Sequence, residues 1–79
     1  MRVLYFAQAA EIAGCREETW QVMRALSAGE FWAEAIKRHH GLREMELLCR
    51  LAVDQKLLES GSTIAPHSEV AVLPPVSGG

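Results

Sequence analysis

The chain has 79 residues, 49% of them hydrophobic and 23% charged, with a formal net charge of −2. That length holds a single domain, and that balance excludes both a disordered chain and a basic footprint for nucleic acid. No apolar run approaches the ~20 residues of a membrane span, and the short run Arg2–Phe6 meets Gln8 and Glu11 too soon for a signal peptide. A cytoplasmic location follows as the expectation, with Cys15 and Cys49 as reduced packing thiols.

In chain order, Val3-Leu4-Tyr5-Phe6 is apolar on both faces and suits a central strand. Ala7 to Ala13 reads as a short helix, with Ala9, Ile12 and Ala13 on one side and Gly14 as its stop. From Arg16 the pattern alternates, placing Glu18, Trp20 and Val22 on one side of an edge strand, with Trp20 and Val22 inward. Ser27 followed by Glu30 is a capping box and opens the main helix. Ala28, Phe31, Trp32, Ala35, Ile36 and His39 then share one arc, with Glu30, Glu34, Lys37 and Arg38 opposite and Gly41 expected to close the helix. His39, inside the apolar stripe, reads as a packed histidine rather than a ligand.

Leu42–Leu47 is open between a loop and an extra turn. Leu48–Val53 predicts a strand with Leu51 and Val53 on one face and Arg50 on the other. Asp54-Gln55 gives a tight turn into Lys56-Leu57-Leu58. Glu59–Glu69 reads as a surface connection around Thr63-Ile64, and Glu69–Leu73 as a second central strand, apolar at four consecutive positions. This order predicts an α+β chain with the ubiquitin-like β-grasp fold. Its mixed sheet has parallel, central N- and C-terminal strands and one main helix crossing a face. Residues 1–73 form the domain and residues 74–79 an extended, flexible tail ending Gly-Gly.

Internal chemistry is sparse. His39, His40 and His67 have no Cys, Asp or Glu at zinc-ligand spacing, so no metal site is expected. There is no glycine-rich phosphate loop and no nucleophile elbow, and the acidic pairs read as solvated faces. The tail remains. Pro74 and Pro75 lack an N–H and hold the chain extended. From there Val76 to Gly79 can span about 13–14 Å at ~3.3–3.6 Å per residue. Gly78 and Gly79 carry no Cβ, so a narrow channel could admit them. Pro74, Pro75, Val76, Ser77 and Gly78 are thus the expected inserting segment, and the Gly79 carboxylate the one reactive group. Phe6, Val72 and Leu73, with Val76, are the expected partner surface beside the tail.

Three stretches carry a resemblance: Val3–Gln8 with Glu11 and Gly14, then Ala52-Val53-Asp54-Gln55, and finally Glu69–Leu73 running into Pro74-Pro75-Val76-Ser77-Gly78-Gly79. Over nearly its whole length the chain resembles the MoaD-type sulfur carriers, the small subunits of molybdopterin synthase. It departs from them at Pro66-His67-Ser68, where Asp-Gly-Asp is frequent, at Val72 and Leu73, where aromatic residues are frequent, and near Ala10, where an Arg is common. The resemblance implies an E1-like adenylating enzyme that uses ATP on the Gly79 carboxylate, and a sulfurtransferase donor that converts the adenylate to a thiocarboxylate. It also implies a large synthase subunit that receives Gly78-Gly79 and passes the sulfur to a cyclic pterin phosphate. On this reading the chain binds no cofactor tightly, has no active site of its own, and partners neither nucleic acid nor membrane. Other readings are a ubiquitin-like protein modifier, a sulfur carrier for thiazole or tRNA thiolation, and a plain binding module with an inert tail. The short helix and the Pro74–Gly79 ending favour the molybdopterin type over the thiazole type.

Overall fold

Two strands from opposite ends of the chain make the centre of the fold. In the computed structural model, which describes residues 1–75, β1 (Arg2–Tyr5) runs parallel to β7 (Glu69–Leu73), with Arg2 opposite Glu69 and Tyr5 opposite Val72. β2 (Glu17–Thr19) flanks β1, and β4 (Arg50–Val53) flanks β7 with β5 (Lys56–Leu57) outside it, all antiparallel. The order β2-β1-β7-β4-β5 is the mixed sheet expected of a β-grasp. Between β1 and β2 lies α1 (Ala7–Ala13), stopped as expected by Gly14 at φ +76, whose N–H donates to the Ala10 carbonyl.

The main helix, α2 (Ala28–Arg38), begins where its capping box places it. Ser27 Oγ accepts from the Glu30 N–H at 3.0 Å, and Glu30 Oε1 accepts from the Ser27 N–H at 2.9 Å. Its stripe buries Phe31, Trp32 and Ala35, while Ile36 is only partly buried. Trp20, arriving just after β2, stacks on Phe31 with centroids 4.8 Å apart, and Phe31 meets Trp32 edge-on at 5.9 Å. With Val3, Tyr5, Val70, Val72, Leu42 and Ile64 these side chains form one core between helix and sheet.

Two local expectations are corrected, and a stretch left open is resolved. α2 ends at Arg38, with His39 as an extended cap, and Gly41 sits inside a 3₁₀ segment (His40–Met45) rather than closing the helix. Gly41 has a different physical role: a Cβ there would lie 2.7 Å from Ile12 Cγ2, so glycine lets this segment pack close against α1. The ambiguous Leu42–Leu47 stretch is therefore partly core, with Leu42 and Met45 buried. The connection Glu59–Glu69 is not wholly surface either. Its β6 (Thr63–Ile64) pairs with β3 (Leu26–Ser27) in a second, two-stranded sheet, and Ile64 is fully buried. The β4–β5 turn forms at Asp54-Gln55, both at positive φ (50° and 72°). Asp54 is secured to β7 by accepting the Glu69 N–H at 2.9 Å and donating its own N–H to the Glu69 carbonyl. Among the described residues, no helix is long and apolar enough to cross a membrane.

Candidate docking face and tail base

Strand alternation sends Val3, Tyr5, Val70, Val72 and Leu51 to the helix side and their neighbours to the other. On that other face, pairing aligns Leu4 with Ala71, Ala71 with Ala52, and Ala52 with Leu57. The result is an apolar row across four strands, perpendicular to them. Ala52 is buried by its neighbours, whereas Leu57 remains 53% exposed. One step toward the tail, Leu73 lies opposite Arg50. Leu48, Arg50, Leu73, Pro74 and Pro75 line a shallow depression there. Phe6, at the end of β1, is 47% exposed and Leu48 is 57% exposed.

The opposite end of the same face is polar. Arg2 bridges Glu17 at 3.0 Å and Glu69 at 2.9 Å. Its hydrogen bond and charge hold the Glu17 carboxyl below the usual carboxylate range. The face thus grades from an ion-paired end to an apolar end, and the chain leaves β7 toward Pro74 at the apolar end.

Of the residues expected to meet a partner, Phe6 and Leu73 lie at this end. Val72 does not. It has no solvent exposure and packs in the core, because four consecutive apolar residues in Val70–Leu73 conceal an alternation in which Ala71 and Leu73 face outward. Pro74 is half-buried and Pro75 exposed, while Val76, Ser77, Gly78 and Gly79 lie outside the described residues. The reading from sequence missed Leu4, Leu48, Ala52 and Leu57 as members of the face. A signal was available: placing Arg50 opposite Leu51 also puts Ala52 on Arg50's side.

On the helix side, the fold gathers a second group that sequence spacing does not reveal. The Glu18 carboxylate accepts from the Tyr5 hydroxyl at 2.6 Å and the Trp20 indole N–H at 2.9 Å, and His39 Nε2 lies 3.0 Å away. Partial burial alone would raise the Glu18 pKa, but these three hydrogen bonds and the charge of His39 outweigh it and hold the carboxyl below its ordinary value. Burial first, and Glu18 second, push the Tyr5 hydroxyl well above the usual tyrosine range. The Cys15 thiol completes the group.

Comparison with known proteins agrees with this fold. The model of the ThiS family matches residues 3–79. The human molybdopterin synthase sulfur carrier subunit is 42% identical over 82 residues, covering all of this chain and 93% of the human one. The crystal structure of SAMP1 from Haloferax volcanii, a small archaeal modifier protein, superposes with a TM-score of 0.83 at 25% identity, covering 100% of this chain and 98% of that one. A structure of the complex of subunits 1 and 2 of the molybdopterin-converting factor from Helicobacter pylori matches with a TM-score of 0.65 at 22% identity, over 99% of this chain and 96% of that one, a likeness of fold. With its parallel terminal strands and single crossing helix, the chain belongs to the ThiS family, as a ubiquitin-like β-grasp chain similar to the sulfur carrier subunits of molybdopterin synthase.

Proposed function

We propose that this chain is the sulfur carrier subunit of a molybdopterin synthase. The observation that carries the reading is an outward apolar row crossing β7 at Ala71, one outward residue before Leu73 at the base of the tail, in a chain matched by its family through Gly79. The outer face docks on the large subunit through Phe6, Leu48, Leu57 and Leu73, and the segment 74–79 reaches into that subunit's active site. An E1-like enzyme supplies ATP, and attack of a Gly79 carboxylate oxygen on the α-phosphorus releases pyrophosphate and leaves an acyl-adenylate. The outer sulfur of a sulfurtransferase persulfide then displaces AMP to give an acyl disulfide. A second thiol of the donor system reduces that bond, itself ending in a disulfide and releasing a thiocarboxylate whose sulfur passes to a cyclic pterin phosphate. Glycine suits this chemistry because its unbranched carbon leaves the carbonyl open to attack. A cytoplasmic setting fits the two free thiols, Cys15 and Cys49.

The test is intact-mass analysis after incubation with an E1-like enzyme, ATP and a sulfur donor. An oxygen-to-sulfur mass change on the C-terminal peptide is expected. One residue added after Gly79 displaces the reactive carbonyl by ~3.3–3.6 Å, and even ~1 Å of misplacement can cost about a hundredfold in rate. If the extended chain, untrimmed, still supports molybdopterin formation, the proposal fails. The likeness to SAMP1 favours a second reading, a protein modifier joined through Gly79 to lysines of other proteins. Conjugates ending in a Gly79 isopeptide, found in cells, would select it.

A further inference from the structure

The Glu18 group has a composition that packing alone does not require. Cys15 Sγ, a Glu18 carboxylate oxygen and a His39 ring nitrogen all lie within 4.8 Å of one another. They come from three separate places: the α1–β2 connection, β2 itself, and the cap of α2. The two oxygens of Glu18 are used unequally. Oε2 accepts from Tyr5 and Trp20 and also lies 3.0 Å from His39 Nε2, whereas Oε1 has only His39 Nε2, at 3.1 Å, as a hydrogen-bond neighbour among the described residues. The His39 ring is held edge-on to Tyr5, centroids 5.6 Å apart. All three residues are half-buried rather than sealed, so a small ion could reach them from solvent.

We infer that Cys15, Glu18 and His39 form a binding site for a single thiophilic divalent cation of the zinc type. Sulfur, nitrogen and oxygen donors in one cluster match the ligand set of Zn²⁺, whose bonds are about 2.3 Å to sulfur and about 2.0–2.1 Å to nitrogen and oxygen. Two such N and O ligands separated by 3.0–3.1 Å subtend roughly 95° at the ion, so a separation wider by a few tenths of an ångström gives a tetrahedral angle. The Cys15 sulfur, within 4.8 Å of both, has to close to the ~3.5 Å spacing that the same geometry requires. Tyr5 and Trp20 then act as outer partners, fixing the carboxylate through Oε2 while Oε1 faces the ion. Binding replaces two protons, that of the Cys15 thiol and the one on His39 Nε2 that bonds Glu18 in the ion-free state. Both leave to solvent while Nδ1 holds the neutral ring's proton, and nothing is oxidised or reduced. Three protein ligands leave a fourth position for water. The site is independent of the tail chemistry proposed above.

The experiment uses the full chain, freed of metal by chelation and kept reduced, titrated with Co²⁺ and then Zn²⁺. One equivalent of Co²⁺ should produce a thiolate-to-cobalt charge-transfer band that Zn²⁺ abolishes by displacement. Cys15→Ser should remove the band, whereas Cys49→Ser and His40→Ala should retain it. Tyr5→Phe should weaken binding by about tenfold, as for other outer-shell partners. Independently of any variant, one equivalent of Zn²⁺ should slow alkylation of Cys15 about tenfold and leave that of Cys49 unchanged, because the thiolate is the nucleophile. A missing band, a band that survives in folded Cys15→Ser, or Cys15 alkylation unaffected by Zn²⁺ would each overturn the assignment.

Discussion

The two faces of the five-stranded sheet come from the same strands by the same alternation, and they are finished in opposite ways. The helix side is closed by Phe31, Trp32 and Trp20, stacked and edge-on over Val3, Val70 and Val72. The outer side is apolar too, along Leu4, Ala71, Ala52 and Leu57, yet among the described residues no helix covers it. Burial of the first face supplies the fold's own stability. The second leaves Leu57 and, partly, Leu4 and Ala71 open to solvent, apolar surface available to stabilise a complex instead. An apolar side chain therefore has one of two roles here, set by strand parity alone.

The sharpest way to break this comparison is to truncate one side chain on each face. Phe31→Ala should cost ~3–5 kcal/mol in denaturant melts, a large share of what so small a domain has. Leu57→Ser, on the outer face, should stay within about 0.5 kcal/mol. Equal losses at the two positions would show that the outer row is structural.

A charge at the apolar end separates docking from folding. Leu73→Asp should weaken binding to a cognate large subunit by about thirtyfold or more, the scale of a central contact worth ~2 kcal/mol. Its melting curve should shift little, because Leu73 is only half-buried. Binding unchanged within a factor of two would remove Leu73 from the interface.

The smallest effect sharpens the inner face, through the cap that begins the helix over it. The Arg24 guanidinium hydrogen-bonds the Glu30 carboxylate, and with the Ser27 N–H it brings that carboxyl down to about 2. A folded-state pKa below the unfolded value of ~4.3 means the carboxylate's contribution is fully present above that value. It is lost as pH falls from there through about 2. Arg24→Ala should move the Glu30 midpoint, followed by carboxyl ¹³C NMR, back toward the ordinary value. A midpoint that stays put would leave the Ser27 N–H as the sole cause.

Local signals accounted for most of the architecture. The capping box at Ser27 and Glu30, the stop at Gly14 and the turn at Asp54-Gln55 each depend on neighbours within a few residues, so they can be read directly. The β3–β6 pair could not be read, since two-residue strands have no period and Leu26 meets Ile64 only through the fold. Val72 was misplaced because a run of four apolar residues hides its parity. The Cys15–Glu18–His39 group was invisible for a related reason: Glu18 and His39 are 21 residues apart in sequence and 3.0 Å apart in space. Both missed groupings are contacts between distant residues.

The central position of β7 has a consequence for how the tail is delivered. β7 is hydrogen-bonded on both sides, by β1 and by β4. Loosening the tail's anchor would mean opening two ladders at once, so amide hydrogens in this strand should exchange only through global unfolding. A short tail on so fixed an anchor changes the arithmetic of encounter. Under the function proposed above, once the outer face is docked, entry of the tip into a partner's site is an intramolecular event, with an effective concentration in the millimolar range for a short linker. Under the proposed function, the docking face rather than the affinity of the tip for the partner's site would then set how often the reaction occurs.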